Sequence, residues 1–273
     1  MTDSFDPVLP LRQGGSRAPL FCAPPISGSP HGYRTLVPLL HPEQPVYALE
    51  APGFDNEESP LDSVPAHSQR YLAALHRHRG GRPVALLGWS MGAVVAYDLA
   101  CRLVAAGAVV PRLILVDPPT PGPLTVPARG IAARLLVQDL VALGGGPREP
   151  VQAALAQVPE DADVDDVFAA VIRGGVLPPE CDAEFLHARY GPFDAHLRAL
   201  GSYRPTGRYP GPVTLIRATE SSADADRWRA IVESLDDCTI KGDHYTIWHG
   251  LALAAMGALI QRGLDDCQQV NRT

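Results

Sequence analysis

The chain has 273 residues, of which 46% are hydrophobic, and this size allows one large core or a core with an appended subdomain. Its formal net charge of −7, without any long basic run, argues against a nucleic-acid partner. Five scattered cysteines fit reduced thiols better than a disulfide framework. No apolar run approaches the about 18 residues of a membrane span, so we expect a soluble cytoplasmic protein without membrane contact.

The first half of the chain predicts strands that alternate with helices. Residues 1–17 are acidic and rich in proline and glycine, which predicts a flexible N-terminal segment or linker. Short apolar runs predict strands at 18–25, 45–53, 83–88 and 112–116. Helical spacing fills the gaps, beginning near Tyr33 and then covering 66–79 and 91–106. This alternation predicts an α/β fold with a mostly parallel, doubly wound sheet that helices cover on both faces.

The second half of the chain interrupts this alternation. From about 120 to 208 the sequence shows helical patterns but no convincing strand. Alternation then resumes with a strand at 212–219, a helix at 224–235, a short strand near 238–242 and a helix at 246–262. Because the sheet needs the strand at 212–219, we interpret the helical stretch as an insertion into the domain that begins at residue 18.

A Gly-x-Ser-x-Gly motif stands between a predicted strand and a predicted helix. Ser90 lies between Gly88 and Gly92 in the segment "LLGWSMGAVVAYDLA". A sharp strand-to-helix turn needs small residues on both sides of the serine, and it presents the hydroxyl at the carboxyl edge of the sheet. A serine that only caps the helix is the alternative, but the correct flanking strand and helix favour a nucleophile.

A nucleophilic serine requires a base and a group that orients the base. The carboxyl ends of parallel strands lie on one rim of a sheet, so residues at strand ends are the candidates. We predict Asp117, which follows strand 112–116, as the acid, and His244, in the turn after the last strand, as the base. Asp117 has the alternative role of capping its own turn. Asp224 or Asp226, after strand 212–219, is an alternative acid.

An acyl-transfer site also needs two backbone N–H donors for the oxyanion. Met91 follows the predicted nucleophile directly and supplies one of them. The second donor is expected from the loop "CAPPISGSP" after the first strand. Pro24 and Pro25 carry no N–H, which leaves Ile26 or Ser27, and we choose Ile26. A plain strand-to-helix turn is the alternative interpretation of this loop.

Four segments together resemble one known family, the thioesterase domains of nonribosomal peptide and polyketide synthases, within the α/β-hydrolases. They are "LFCAPPISG", "PVYALEAPG", "LLGWSMGAVVAYDLA" and "GDHYTIW", and they frame the chain from about residue 18 to 262. The family usually has His-Pro-Ala-Gly-Gly where this chain has Pro24-Pro25-Ile26-Ser27-Gly28. The resemblance covers the predicted sheet, whereas the helical stretch 120–208 shares no motif with the family.

The resemblance implies an enzyme, a serine hydrolase that acts as a thioesterase on a chain held by a carrier protein. The acyl or peptidyl chain would arrive on the phosphopantetheine arm of an acyl or peptidyl carrier protein domain, and no cofactor or metal of the enzyme's own is expected. Ser90 would form an acyl-enzyme that is released by hydrolysis or macrocyclisation under a lid made by 120–208. The early position of Asp117 is similar to the chain-terminating domains.

Other functions stay open from the sequence. A stand-alone editing (type II) thioesterase would clear misprimed carrier proteins with the same residues. A generic esterase would not depend on carrier-bound substrate. A non-catalytic, hydrolase-like binding module would keep the fold without the chemistry, although a complete serine, aspartate and histidine set argues against it.

Overall fold

The computed structural model describes residues 5–270 of the chain, and within them one seven-stranded sheet forms the centre. The strands are β1 (Val8–Arg12), β2 (Leu20–Ala23), β3 (Val46–Leu49), β4 (Ala85–Trp89), β5 (Leu113–Val116), β6 (Tyr209–Ala218) and β7 (Val232–Ile240). Their order is β1-β3-β2-β4-β5-β6-β7, and only the β1–β3 pair is antiparallel. The predicted mostly parallel α/β sheet is confirmed.

Eight α-helices lie within the same described residues. They are α1 (Val64–His78), α2 (Met91–Ala105), α3 (Arg129–Leu143), α4 (Arg148–Leu155), α5 (Val164–Arg173), α6 (Ala183–Ser202), α7 (Ala225–Arg229) and α8 (Gly250–Val270). Short 3-10 helices occupy His31–Thr35, Val37–Leu39 and Thr246–Trp248. None of the helices described is long and apolar enough to cross a membrane.

Each face of the sheet has its own buried cluster. Leu86, Leu113 and Leu115 point to one face and join the apolar cluster of α1 and α2. Leu87 and Ile114 point to the other face and join the cluster of α8. Successive side chains of a strand alternate between faces, so a strand buried on both sides requires an unbroken apolar run. Burial on both faces of the sheet therefore explains the unbroken apolar sequences of β4 and β5.

The prediction of a flexible segment at 1–17 is wrong for residues 8–12, which form strand β1; residues 1–4 lie outside the described part. β1 pairs with β3 at the edge of the sheet and buries Val8. Arg12 fixes its end, since the guanidinium donates to the carbonyl oxygens of Gln44 at 3.0 Å and Val37 at 2.9 Å. Pro10 hides this strand in the sequence, although an edge strand tolerates proline.

Two other predicted elements differ from the structure. The helix expected from Tyr33 is replaced by the two short 3-10 helices, because Pro38 interrupts the segment. The helix expected at 224–235 ends at Arg229, and the last strand, β7, is correspondingly longer. Its sequence, "VESLDDCTI", contains charged residues because β7 is an edge strand with many exposed positions.

The chain between β5 and β6 forms four helices, α3 to α6, which we call the helical insertion. It agrees in extent with the stretch predicted at about 120–208. The insertion buries an apolar cluster of its own, separate from the two clusters of the sheet. Its most enclosed members are Ala132, Ala133, Leu136, Val137, Val167, Phe168, Val171 and Leu186. This cluster lets the insertion hold its shape above the sheet.

Candidate active site

Ser90 occupies a strained turn between β4 and α2. Its φ is +56°, in the region that residues with a side chain rarely adopt. A Cβ atom added at Gly88 would lie 2.1 Å from the carbonyl oxygen of Gly92, and one added at Gly92 would lie 2.3 Å from the carbonyl oxygen of Ala23. The two glycines are therefore required for the close approach of strand, turn and helix, and Ser90 stays half-buried at the sheet edge.

Asp117 follows the neighbouring strand β5 and also has a positive φ, +42°. Its carboxylate is buried and accepts three hydrogen bonds. Oδ1 accepts from the backbone N–H of Ala218 at 2.9 Å and from the hydroxyl of Ser221 at 2.5 Å. Oδ2 lies 2.6 Å from Nδ1 of His244. Burial alone would raise the pKa of Asp117, but these hydrogen bonds outweigh it and keep the pKa below its ordinary value.

His244 stands in the turn between β7 and α8. Asp243 shapes this turn, because its Oδ1 accepts from the N–H groups of Tyr245 and Thr246, each at 2.9 Å. The imidazole lies against the ring of Trp89, with centroids 5.1 Å apart. Its Nδ1 faces a carboxylate that only accepts, so Nδ1 carries the proton and Nε2 is the basic nitrogen.

One open cavity of about 400 Å³ brings Ser90, Asp117 and His244 together. The two alternative acids have other partners. Asp224 caps α7 through the N–H groups of residues 226 and 227, and Asp226 pairs with Arg229 at 2.7 Å. The structure thus brings His244 against Asp117, and it gives the later carboxylates structural contacts on α7.

The two predicted oxyanion donors flank the same region. Met91 is the first residue of α2, where backbone N–H groups have no partner within the helix. Ile26 lies in the loop after β2, and its carbonyl oxygen accepts from Nδ1 of His196 on α6 at 2.7 Å. Tyr33 ties this loop to the serine turn, since its hydroxyl donates to Ala23 O at 2.5 Å and accepts from the N–H of residue 89. The donor roles of Met91 and Ile26 stay predictions.

His196 belongs to a buried pair of histidines behind the Ile26 loop. The rings of His67 and His196 have centroids 5.0 Å apart, and both side chains are about 1% exposed. Burial lowers the pKa of His67 to about 3, with a further contribution from His196, and burial lowers the pKa of His196 to about 4. Both imidazoles are therefore neutral in the folded protein near neutral pH.

This pair predicts a loss of stability in mild acid. An unfolded histidine takes up its proton near its ordinary pKa of 6.5, whereas the folded pair resists protonation until pH 4 or below. The stabilisation is therefore complete above pH 6.5 and is lost as the pH falls from 6.5 towards 4. For His196 alone it amounts to about 3 kcal/mol, which urea unfolding at a series of pH values measures.

The control for this prediction is His76, an exposed histidine on the same helix as His67. His196→Asn should reduce the dependence of the unfolding free energy on pH between 6.5 and 4, with His67 supplying the remainder, while His76→Asn should leave the wild-type slope. Equal slopes in the two variants would contradict the assignment.

Several residues around the site carry no signal in the sequence. Ser221 lies in a polar turn, "TESSAD", in which any hydroxyl looks like a turn residue. His196 lies within α6, far along the chain from the loop that it contacts. Among the described residues, no group of three or more His, Cys, Asp or Glu side chains is arranged to hold a metal ion.

The sheet, the serine turn and the histidine loop define an α/β-hydrolase. A family model described as "Thioesterase domain" matches residues 18–249, so the chain belongs to the thioesterase domain family. The curated relatives that it matches include nonribosomal peptide synthetases and a polyketide synthase.

Three comparisons illustrate the similarity of the chain to known proteins. The chain is 28% identical over 264 residues to the non-reducing polyketide synthase Preu8 of Preussia isomera, covering 90% of this chain and 11% of that protein. It superimposes on the four-domain nonribosomal peptide synthetase holo-AB3403 with a TM-score of 0.79 and 24% identity, covering 94% of this chain and 20% of that one. For the type II thioesterase BorB of the borrelidin cluster, the TM-score is 0.67, the identity 23% and the coverage 97% and 98%.

The lengths of these proteins differ widely. The chain spans about 2% of the length of the first curated relatives it matches and 11% of Preu8. Those relatives are therefore much longer than this chain, whereas BorB is nearly matched from end to end.

Proposed function

We propose that the protein cleaves an acyl or peptidyl thioester through an ester formed on Ser90. The hydrogen bond of 2.6 Å between Nδ1 of His244 and Oδ2 of Asp117, in a cavity that Ser90 shares, carries this proposal. It fixes the tautomer in which Nε2 is free to accept the serine proton. The hydrogen bonds of Ala218 and Ser221 to Asp117 keep the carboxylate ionised, so that it stabilises the imidazolium.

The first half-reaction transfers the chain to the enzyme. Nε2 of His244 takes the proton of the Ser90 hydroxyl as Oγ attacks the thioester carbonyl carbon. The N–H groups of Met91 and Ile26 would stabilise the resulting oxyanion, each contributing about 3 kcal/mol by comparison with related sites. The carbon–sulfur bond then breaks, and the imidazolium returns the proton to the leaving thiolate.

The second half-reaction releases the chain. His244 takes a proton from the incoming nucleophile, which attacks the ester carbon, and then gives the proton to Oγ of Ser90. Water yields a free acid, whereas an amine or hydroxyl of the chain itself yields a ring. Macrocyclisation requires that water be kept away from the ester, a task that suits the helical insertion.

The thioester substrate would be carried by the phosphopantetheine arm of a carrier protein domain. The family membership, which implies a thioester substrate, and the synthases among the relatives support this partner. The enzyme would need no further cofactor, since the reactive thioester arrives with the substrate. Chain release at the end of synthesis is our first choice, and the Asp117 position supports it.

An editing role is the second candidate. It is favoured by the likeness in fold to the type II thioesterase BorB, which is matched over almost its entire length. An editing enzyme clears short acyl groups from many carriers, whereas a terminating enzyme acts on the completed chain. The two roles therefore differ in substrate length and in product.

Product analysis by mass spectrometry tests both roles. The protein is incubated with a panel of pantetheine thioesters that range from acetyl to long peptidyl chains. We expect faster turnover of the long chains, with a free acid or ring as product, and faster turnover of short acyl groups would instead establish editing. If no thioester of the panel gives a product that depends on Ser90, the proposed function is overturned.

A further inference from the structure

A second cavity lies between the helical insertion and the catalytic loops. Its volume is about 350 Å³, and it is bounded by Ile26 of the proposed oxyanion loop, by Tyr245 beside the base, and by helices α3, α4 and α6. The side chains of Leu135, Val151, Phe193 and Leu197 give it apolar walls. The cavity therefore borders the loop of the proposed oxyanion donor and the residue that follows the proposed base.

A buried carboxylate interrupts the apolar lining. Asp139 of α3 lines the cavity and is only 6% exposed. Its Oδ1 accepts a hydrogen bond of 2.9 Å from the hydroxyl of Tyr245. Its Oδ2 is buried and has no hydrogen-bond partner among the residues that the structure describes. A buried carboxylate oxygen without a hydrogen bond lowers the stability of the folded protein. An N–H or O–H donor of a bound molecule would remove this penalty.

Asp139 is the one carboxylate among the residues that line this cavity. Burial raises its pKa to about 6, against the opposing effect of the Tyr245 hydrogen bond. The other charged group of the lining, Arg148, is already paired with Asp243 at 2.8 Å. Oδ2 of Asp139 is therefore the acceptor that a ligand would meet in this cavity.

Two further polar side chains suit the same kind of ligand. Gln138 and Gln152 line the cavity with amide groups that both donate and accept hydrogen bonds. A plain alkyl chain would leave these groups and Asp139 without new partners. An acyl chain with N–H groups would satisfy them while its apolar parts contact the leucine and phenylalanine walls.

We propose that this cavity binds the acyl portion of the substrate and that Asp139 selects chains bearing an N–H donor, an amide or an amine, over unsubstituted alkyl chains. The proposal rests on the proposed function, and it narrows the substrate class towards peptidyl or amino-substituted chains. Asp139 acts here as a specificity-determining residue, and the bond cleavage is left to Ser90.

Paired substrates test the selection directly. The probes are ω-aminoacyl pantetheine thioesters from aminohexanoyl to aminodecanoyl, the matching ω-carboxamides, and alkanoyl thioesters with a methyl group in place of the ammonium. For the chain length that fits, kcat/KM should favour an N–H substrate by about ten- to a hundredfold over its alkyl partner. The amine and carboxamide arms identify which donor is preferred.

Asp139→Leu, which removes the acceptor oxygens, should remove most of this preference while retaining turnover of the alkyl thioester. Glu160→Gln, which neutralises an exposed carboxylate of the insertion, is the matched control and should keep the preference. Tyr245→Phe removes the partner of Oδ1 but keeps the carboxylate, so it should also retain the preference. If Asp139 only supports the His244 loop through Tyr245, Asp139→Leu and Tyr245→Phe will instead lower turnover of all probes alike.

The outcomes separate this proposal from the one on which it rests. Ser90-dependent turnover without any preference for N–H chains overturns the role of Asp139 and leaves the thioesterase function intact. A preference that survives in Asp139→Leu also overturns the role of Asp139. If none of the probes is turned over, the result counts against the proposed function itself.

Discussion

Replacing Ser90 by alanine is expected to lower thioester turnover by at least about four orders of magnitude and to abolish the covalent acyl adduct. The substitution removes only the hydroxyl group and keeps the Cβ atom. The backbone of the strained turn therefore meets no new contact, and the fold should persist. Intact-mass spectrometry after incubation with a pantetheine thioester measures the adduct. A parallel thermal unfolding experiment shows that the variant is folded.

Ser234→Ala is the matched control for this experiment, since Ser234 is an exposed serine on the edge strand β7. It should form the adduct and turn over substrate like the wild type. An adduct that persists in Ser90→Ala would show that another group accepts the acyl chain, and the mechanism proposed above would be refuted.

The second large effect is expected for Asp117→Asn, which should lower kcat by about four orders of magnitude. An amide at this position can donate its NH₂ group to Nδ1 and so place the proton on Nε2, where it cannot accept from Ser90. The hydrogen bonds from Ala218 and Ser221 hold the side chain in place, which limits reorientation of the amide. Steady-state rates with one pantetheine thioester measure the loss.

Two later aspartates provide the comparison for Asp117. Asp224→Asn keeps a good helix cap for α7, and Asp226→Asn removes only an exposed ion pair, so both variants should retain stability and near wild-type turnover. The opposite pattern, with an active Asp117→Asn and an inactive Asp224→Asn or Asp226→Asn, would move the orienting role to the later carboxylate.

The sequence was informative wherever local chemistry determines the backbone. The turn at Ser90 could be predicted because the apolar strand, the two glycines and the small-residue helix are contiguous. Strand β1 could not, because its pairing with β3 is a tertiary contact and Pro10 removes the usual strand pattern. The length of β7 was missed for a similar reason, since edge position rather than composition stabilises it.

The residues of the candidate site likewise divide into those that the sequence predicts and those that only tertiary contacts reveal. Ser90, Asp117 and His244 each follow a predicted strand, so the rule for strand ends was enough to propose them together. Ser221, Tyr33, His196 and Asp139 support or border this site through contacts with residues distant in the chain. A single sequence holds no pattern that pairs a histidine of α6 with a loop after β2.

The way in which Asp117 is held has a consequence for how such proteins diversify. The helical insertion follows Asp117 in the chain, yet the two hydrogen bonds to Oδ1 come from Ala218, the last residue of the returning strand β6, and from Ser221, just after that strand. The orientation of the carboxylate therefore depends on the scaffold and not on the length or sequence of the insertion. Exchange of this segment between paralogues, or its grafting in chimeras, should therefore leave the Asp117 carboxylate in place. The loop of His244 contacts the insertion through Tyr245 and Asp243, so a grafted segment would have to supply partners for these two residues.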